Sequence, residues 1–145
     1  LTEGPLPVWL FWALLSASFA AATAILTKLG VEGVHPDVAT LIRTVVVLLM
    51  LAILVGASGV GLSLSSLSGR TWLFLTLSGL ATGASWLCYI RALQQGPAAQ
   101  VAPVDKLSVV FVALFGVTLL GERLSAANWL GVGLIAAGAA LVALK

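Results

Sequence analysis

The sequence predicts an all-α integral membrane protein with five transmembrane helices. Three observations carry that expectation. Hydrophobic residues make up 61% of the chain and charged residues only 8%. The mean hydropathy is +1.16. The apolar residues gather into five stretches of about 20, the length needed to cross a bilayer at ~1.5 Å per residue. Soluble domains carry about 25% charged residues, and a water-facing fold of 145 residues has too few charges here to cover itself.

By that rule the helices run near Val8–Leu29, Val38–Val55, Thr71–Leu93, Ala98–Leu120 and Ala127–Leu144. The intervening segments GVEGVHPD, GASGVGLSLSSLSGR, QQGPAAQ and GERLSAAN concentrate Gly, Pro, Ser, Asn and charge, as breaks do. Pro97 and Asn128 suit helix starts. Trp9, Trp12, Trp72 and Trp129 fall near helix ends, where an aromatic belt sits. The first stretch is too long for a secretory signal and lacks a basic segment before it. The chain begins at Leu1 rather than Met, which leaves room for a preceding initiator or short leader.

Charge and motif content narrow the function. A net charge of +2 is too small and dispersed for a nucleic-acid partner. Cys88 stands alone, so no internal disulfide forms. With one His and one Cys there is no zinc motif, and neither a phosphate-binding glycine loop nor a nucleophile elbow is present. No enzyme activity, metal or cofactor is expected. Five spans place the termini on opposite sides. One side holds Arg70 and Arg123; the other holds Lys28, Arg91 and Lys145, with Arg43 leaning toward it. This bias gives only a small preference for a cytoplasmic C-terminus.

Within the first helix Ser16, Thr23 and Thr27 form a polar stripe beside a seam of Ala13, Ala17, Ala21 and Ala24. Close helix packing and a cavity wall both fit that pattern. In the third, Ser78, Thr82, Ser85 and Tyr89 share one face, and Gly79, Gly83 and Trp86 the next. Trp86 and Tyr89, set below the interface, either fill core space or line a site. The fifth helix carries Gly131, Gly133 and Gly138; its small faces, with Gly79 and Gly83, are candidate packing or dimer seams.

The fourth helix breaks the apolar rule. Pro103 removes a backbone donor, so the helix is expected to bend or open over Val101–Val104. Asp105 and Lys106 follow, roughly 10 Å inside the span. Neighbours on a helix point about 100° apart, so each is expected to find a partner elsewhere, with Arg43, Lys28 or Arg91 as candidates for Asp105. Lipid snorkelling, a structural pin and a water-lined solute path all remain open. A helix break beside charges favours the last, because transporter sites use such breaks to present backbone groups. Glu122 and Arg123, past the helix end, suit a solvated interfacial pair, or in the case of Glu122 a gate.

The run GLATGASWLCYIRALQQGPAAQVAPVDKLSVVFVALFGVTLLGERLSAANWLGVGLIAAGAALV resembles the EamA domain of the drug/metabolite transporter superfamily. A glycine-bearing third helix ending in Tyr-x-x-Ala-Leu, a proline-bearing fourth ending in Gly-Glu and a glycine-rich fifth carry the likeness. WALLSASFAAATAILTKLG and the Arg43-Thr44 pair fit the same family. The resemblance spans residues 1–145 as a single domain and implies secondary transport of a small polar or charged metabolite or drug-like solute. Most members resemble two such domains fused in inverted orientation, whereas this chain holds one. The expectation is a homodimer in the inner membrane, antiparallel through dual insertion. Arg43, Trp86, Tyr89, Ser16 and Thr23 then line the cavity, with Asp105 and Lys106 supplying charge. Asp105 is the acid placed deep enough to carry a proton. A lipid-linked substrate flippase subunit and a non-transporting assembly or regulatory protein are the alternatives.

Overall fold

The structure is a computed structural model that describes residues 7–61 and 66–144. Leu1, Lys145 and part of the second loop, named above, lie outside the described residues. The described residues form six α-helices: α1 (Val8–Gly30), α2 (Pro36–Ala57), α3 (Gly69–Gln95), α4 (Ala98–Asp105), α5 (Ser108–Leu119) and α6 (Ala126–Ala143). They hold no strand. Five spans are long and apolar enough to cross a membrane, with α4 and α5 together making the fourth, Ala98–Leu119.

The helix ends follow from capping chemistry. α2 starts two residues before the expected Val38, because His35 caps it and Pro36 takes the first helical position. The His35 Nδ1 accepts a hydrogen bond from the Asp37 N–H at 3.3 Å. Proline suits that place, since its missing donor would have had no intrahelical partner. α6 is capped by Ser125, not Asn128. The Ser125 Oγ accepts from the Asn128 N–H at 3.2 Å, and the Asn128 Oδ1 accepts from the Ser125 N–H at 3.0 Å. Asn128 thus closes a capping box from the third helical position. Pro97 is the residue before α4, with extended backbone, rather than its first turn. α3 is the longest at 27 residues, about 40 Å at 1.5 Å per residue, so it outreaches a hydrocarbon core of ~30 Å.

The chain divides into two units, Leu1–Leu29 with Gln95–Lys145, and Gly30–Gln94. In the second, contacts run down α2 as they run back along α3, from Asp37–Arg91 through Ala39–Ile90 to Arg43–Trp86, the order of an antiparallel pair. The pair closes at one end, where Val31, Ala39 and Ile90 form a buried cluster with Val34 against it. The Gln94 Nε2 donates to the carbonyls of Val31 (3.1 Å) and Val34 (2.6 Å), tying the end of α3 to the turn before α2. In the first unit α6 packs against α4 and α5. Gly121, at φ +70°, reverses the chain after α5 and lets the Glu122 N–H donate to the Gly116 carbonyl at 3.0 Å.

Few side chains are buried. Ile90 and Leu93 are the largest fully enclosed ones among the described residues. Leucines, valines and phenylalanines along every span face outward, so the apolar surface is the outside of the molecule, as lipid or a second copy requires. Leu93→Ala is therefore expected to cost about 2–5 kcal/mol of stability. Leu119→Ala, at a site 76% exposed, should stay within ~0.5 kcal/mol. Thermal unfolding of the detergent-solubilised variants measures both.

Candidate functional site

Arg43 lies two turns into α2, about 10 Å from its start, in an otherwise apolar run. A charged side chain at membrane depth costs several kcal/mol unless something compensates. Part of that compensation comes from Trp86 on α3. The guanidinium carbon sits 5.2 Å from the indole ring centroid, a cation–π contact of ~0.5–2 kcal/mol. Arg43, Trp86 and Tyr89 are all half-buried. The neighbouring hydroxyls are occupied along their own helix: Thr40 Oγ1 donates to the Pro36 carbonyl and Thr44 Oγ1 to the Thr40 carbonyl, each at 2.8 Å. The Arg43 Nη1 is buried and has no hydrogen-bond partner.

Nearer the end of the same pair, Arg91 Nη2 meets Asp37 Oδ1 at 2.8 Å, with both side chains about half exposed. Such a pair contributes ~0–1 kcal/mol and mainly fixes geometry. Asp37 and Gln94 are fastenings that the sequence reading passed over as loop chemistry. Their signal was available in the acid that follows Pro36 and in the amide one residue before the end of α3.

In the other unit the fourth span is broken, though not where expected. Backbone from Val101 to Val104 remains helical, and α4 ends at Asp105. The ladder then tightens. Lys106, Leu107, Val109 and Val110 N–H groups donate to carbonyls three residues back, at 3.0–3.1 Å. Pro103 removes one bond, to the Ala99 carbonyl, and the helix tolerates that loss; the change of winding comes a turn later. A tight stretch inside a span is a common mark of a hinge.

Asp105 and Lys106 occupy this break. Contrary to the expectation of separate partners, Lys106 Nζ lies 3.4 Å from Asp105 Oδ2. The long lysine stem curls back where regular helix geometry has ended. Arg91, a candidate partner of Asp105, engages Asp37 instead, and Lys28 Nζ donates to the Gly96 carbonyl at 3.0 Å. Ser16 is exposed and Thr23 half-buried, while Thr27 and Ala24 on the same helix are buried. Thr82 Oγ1 donates to the Ser78 carbonyl at 2.9 Å, so that hydroxyl is satisfied within α3. A Cβ at Gly79, Gly83, Gly133 or Gly138 would meet nothing within 4 Å. Those faces stand open in the single chain. Gly116 is different: a Cβ there would come within 2.6 Å of the Glu122 carboxylate, which folds back over the end of α5.

Span count, apolar exterior and intramembrane charge define a multi-pass helical membrane protein. The chain belongs to the EamA-like transporter family, whose pattern matches residues 7–144. It is also 63% identical over 135 residues to a curated protein of a Sinorhizobium species, the uncharacterized transporter in the cobO 3′ region. That alignment covers 93% of this chain and 96% of the relative. No solved structure matches.

Proposed function

We propose that the protein is a secondary transporter that moves a small polar or charged metabolite or drug-like solute across the inner membrane by alternating access, without catalysis. The observation that carries this reading is the broken fourth span, with Asp105 and Lys106 at the change of helical winding. Ionisable residues at that depth mark solute paths when protein or water compensates them, and a helix interruption supplies the exposed backbone and the hinge.

The working unit is a homodimer with antiparallel copies. Five helices scarcely enclose a path, and inverted repeats place the site at their interface. Supporting this, the Lys/Arg bias is weak, the glycine faces of α3 and α6 stand open, and the relative is too short for a second repeat of this length. Arg43, Trp86, Tyr89, Ser16 and Thr23 line the passage in this reading, and Asp105 and Lys106 contribute charge.

A proteoliposome screen of neutral, cationic and anionic metabolites tests the function. Saturable uptake above protein-free vesicles is expected for one class. Assembly without flux for any class would favour a structural or regulatory protein, and movement of lipid-linked substrates alone would favour a flippase subunit. A reporter fused to the C-terminus tests the assembly: signal from both sides of the membrane is expected, and signal from one side only would remove the antiparallel arrangement.

A further inference from the structure

Buried polar groups are almost always hydrogen-bonded, and each exception calls for a cause. Among the described residues the Arg43 Nη1 is the buried side-chain atom without a partner. The guanidinium has donors and no acceptor, so an oxygen is the partner it lacks. The guanidinium carbon lies over the Trp86 ring, 5.2 Å from its centroid. A ring is at most a weak acceptor for the N–H groups, which form a fork matched to two oxygens.

Nothing anionic in the Gly30–Gln94 unit is bonded to that fork. Asp37 is held by Arg91, and Glu32 is exposed in the turn before α2. The Thr40 and Thr44 hydroxyls are turned to backbone carbonyls. The side chain is therefore held against an indole and short of an oxygen acceptor at Nη1.

We propose that Arg43 and Trp86 form an oxyanion subsite, and that its occupant is a carboxylate on the transported solute. The inference rests on the transporter reading and narrows its substrate class to organic acids, including those that carry other charges elsewhere. The edge that carries Nη1 is covered by protein in this state; when the covering side chains part in the transport cycle, it takes the carboxylate in two parallel N–H···O bonds. Tyr89, one turn from Trp86, flanks the solute body. A phosphate on a lipid headgroup offers similar oxygens, so the test separates the two sources.

The experiment uses the full chain with Trp86 as its single tryptophan, the others replaced by phenylalanine, in nonionic detergent and in pure phosphatidylcholine vesicles. Cyclohexanecarboxylate, cyclohexanecarboxamide and cyclohexylammonium are titrated against Trp86 emission. A saturable change is expected with the carboxylate, at least about tenfold tighter than with the amide, as one charged hydrogen-bonded contact gives. Arg43→Gln should remove the preference, and Arg43→Lys should weaken it. Equal responses to acid and amide overturn the subsite, as does an absence of response at tens of millimolar. Both comparisons use the native arginine; the four replaced tryptophans are exposed, and the thermal unfolding of the single-tryptophan chain is matched to that of the native protein before titration. Saturation by phosphatidic acid without competition from the carboxylate overturns the solute assignment in favour of lipid. Carboxylate binding without flux leaves the subsite standing and sinks the transporter reading. Flux indifferent to carboxylate and to Arg43 does the reverse.

Discussion

Asp105→Asn is expected to lower solute flux by tenfold or more while leaving a fraction of the protein folded. The substitution keeps shape and removes charge, stranding Lys106, whose ammonium lies 3.4 Å from the carboxylate in the native chain. An unpaired lysine at the centre of a span costs ~2.5–3.5 kcal/mol. Nearer the headgroups the figure is smaller, because the side chain snorkels. Part of the lost flux will thus reflect lost protein. The double variant Asp105→Asn/Lys106→Gln separates the two effects. With both charges gone, the amount of folded protein should recover and flux per folded molecule should not. Each 1.4 kcal/mol of lost stabilisation at the slow step corresponds to about tenfold in rate. Full flux from the double variant would make the pair a packing device.

Pro103→Ala should act in the opposite sense on stability. Alanine restores a donor for the Ala99 carbonyl and removes the ring that crowds the preceding turn. The intrinsic preference for alanine over proline in a helix interior reaches ~3 kcal/mol, so the variant should unfold at a higher temperature. If the tight turn through Lys106 and Leu107 is the hinge of alternating access, the stiffened span should carry solute more slowly, by about tenfold, the usual trade between rigidity and activity. Raised stability with unchanged flux would remove the hinge from the mechanism. Flux and thermal unfolding on the same preparation decide it.

Much of the fold was legible because hydropathy has one meaning in lipid. Span number and rough limits follow from the apolar runs, and α3 and α2 gained only a turn's fraction at each end. What escaped was set by local geometry that periodicity does not encode. Pro103 announced a break in the fourth span, but the helix absorbs one lost bond and changes winding after Asp105. The adjacency of Asp105 and Lys106 argued against their pairing, and that rule fails once the helix has ended. Asn128 was the expected helix start; the cap is Ser125, three residues earlier, and Asn128 returns its bond from inside the first turn. Arg43 and Trp86 were each conspicuous as polar groups in apolar runs. Their mutual contact depends on the alignment of α2 with α3, which composition leaves open. The fastenings by Asp37 and Gln94 were hidden in segments read only as breaks.

The central claim is that polar groups within these spans face a water-filled passage rather than lipid. Thiol labelling tests it most directly. In a Cys88→Ser background, single cysteines are placed at Ser108, three residues past Asp105, and at Ser85, and at Leu49 and Leu134 on outward apolar faces, then treated with a membrane-impermeant maleimide in sealed vesicles. Rapid labelling at 108 and 85, slowed by a transported solute, is expected, with 49 and 134 inert. Four equally unreactive positions, or reactivity at 108 that no solute changes, would contradict the passage and the transport mechanism built on it.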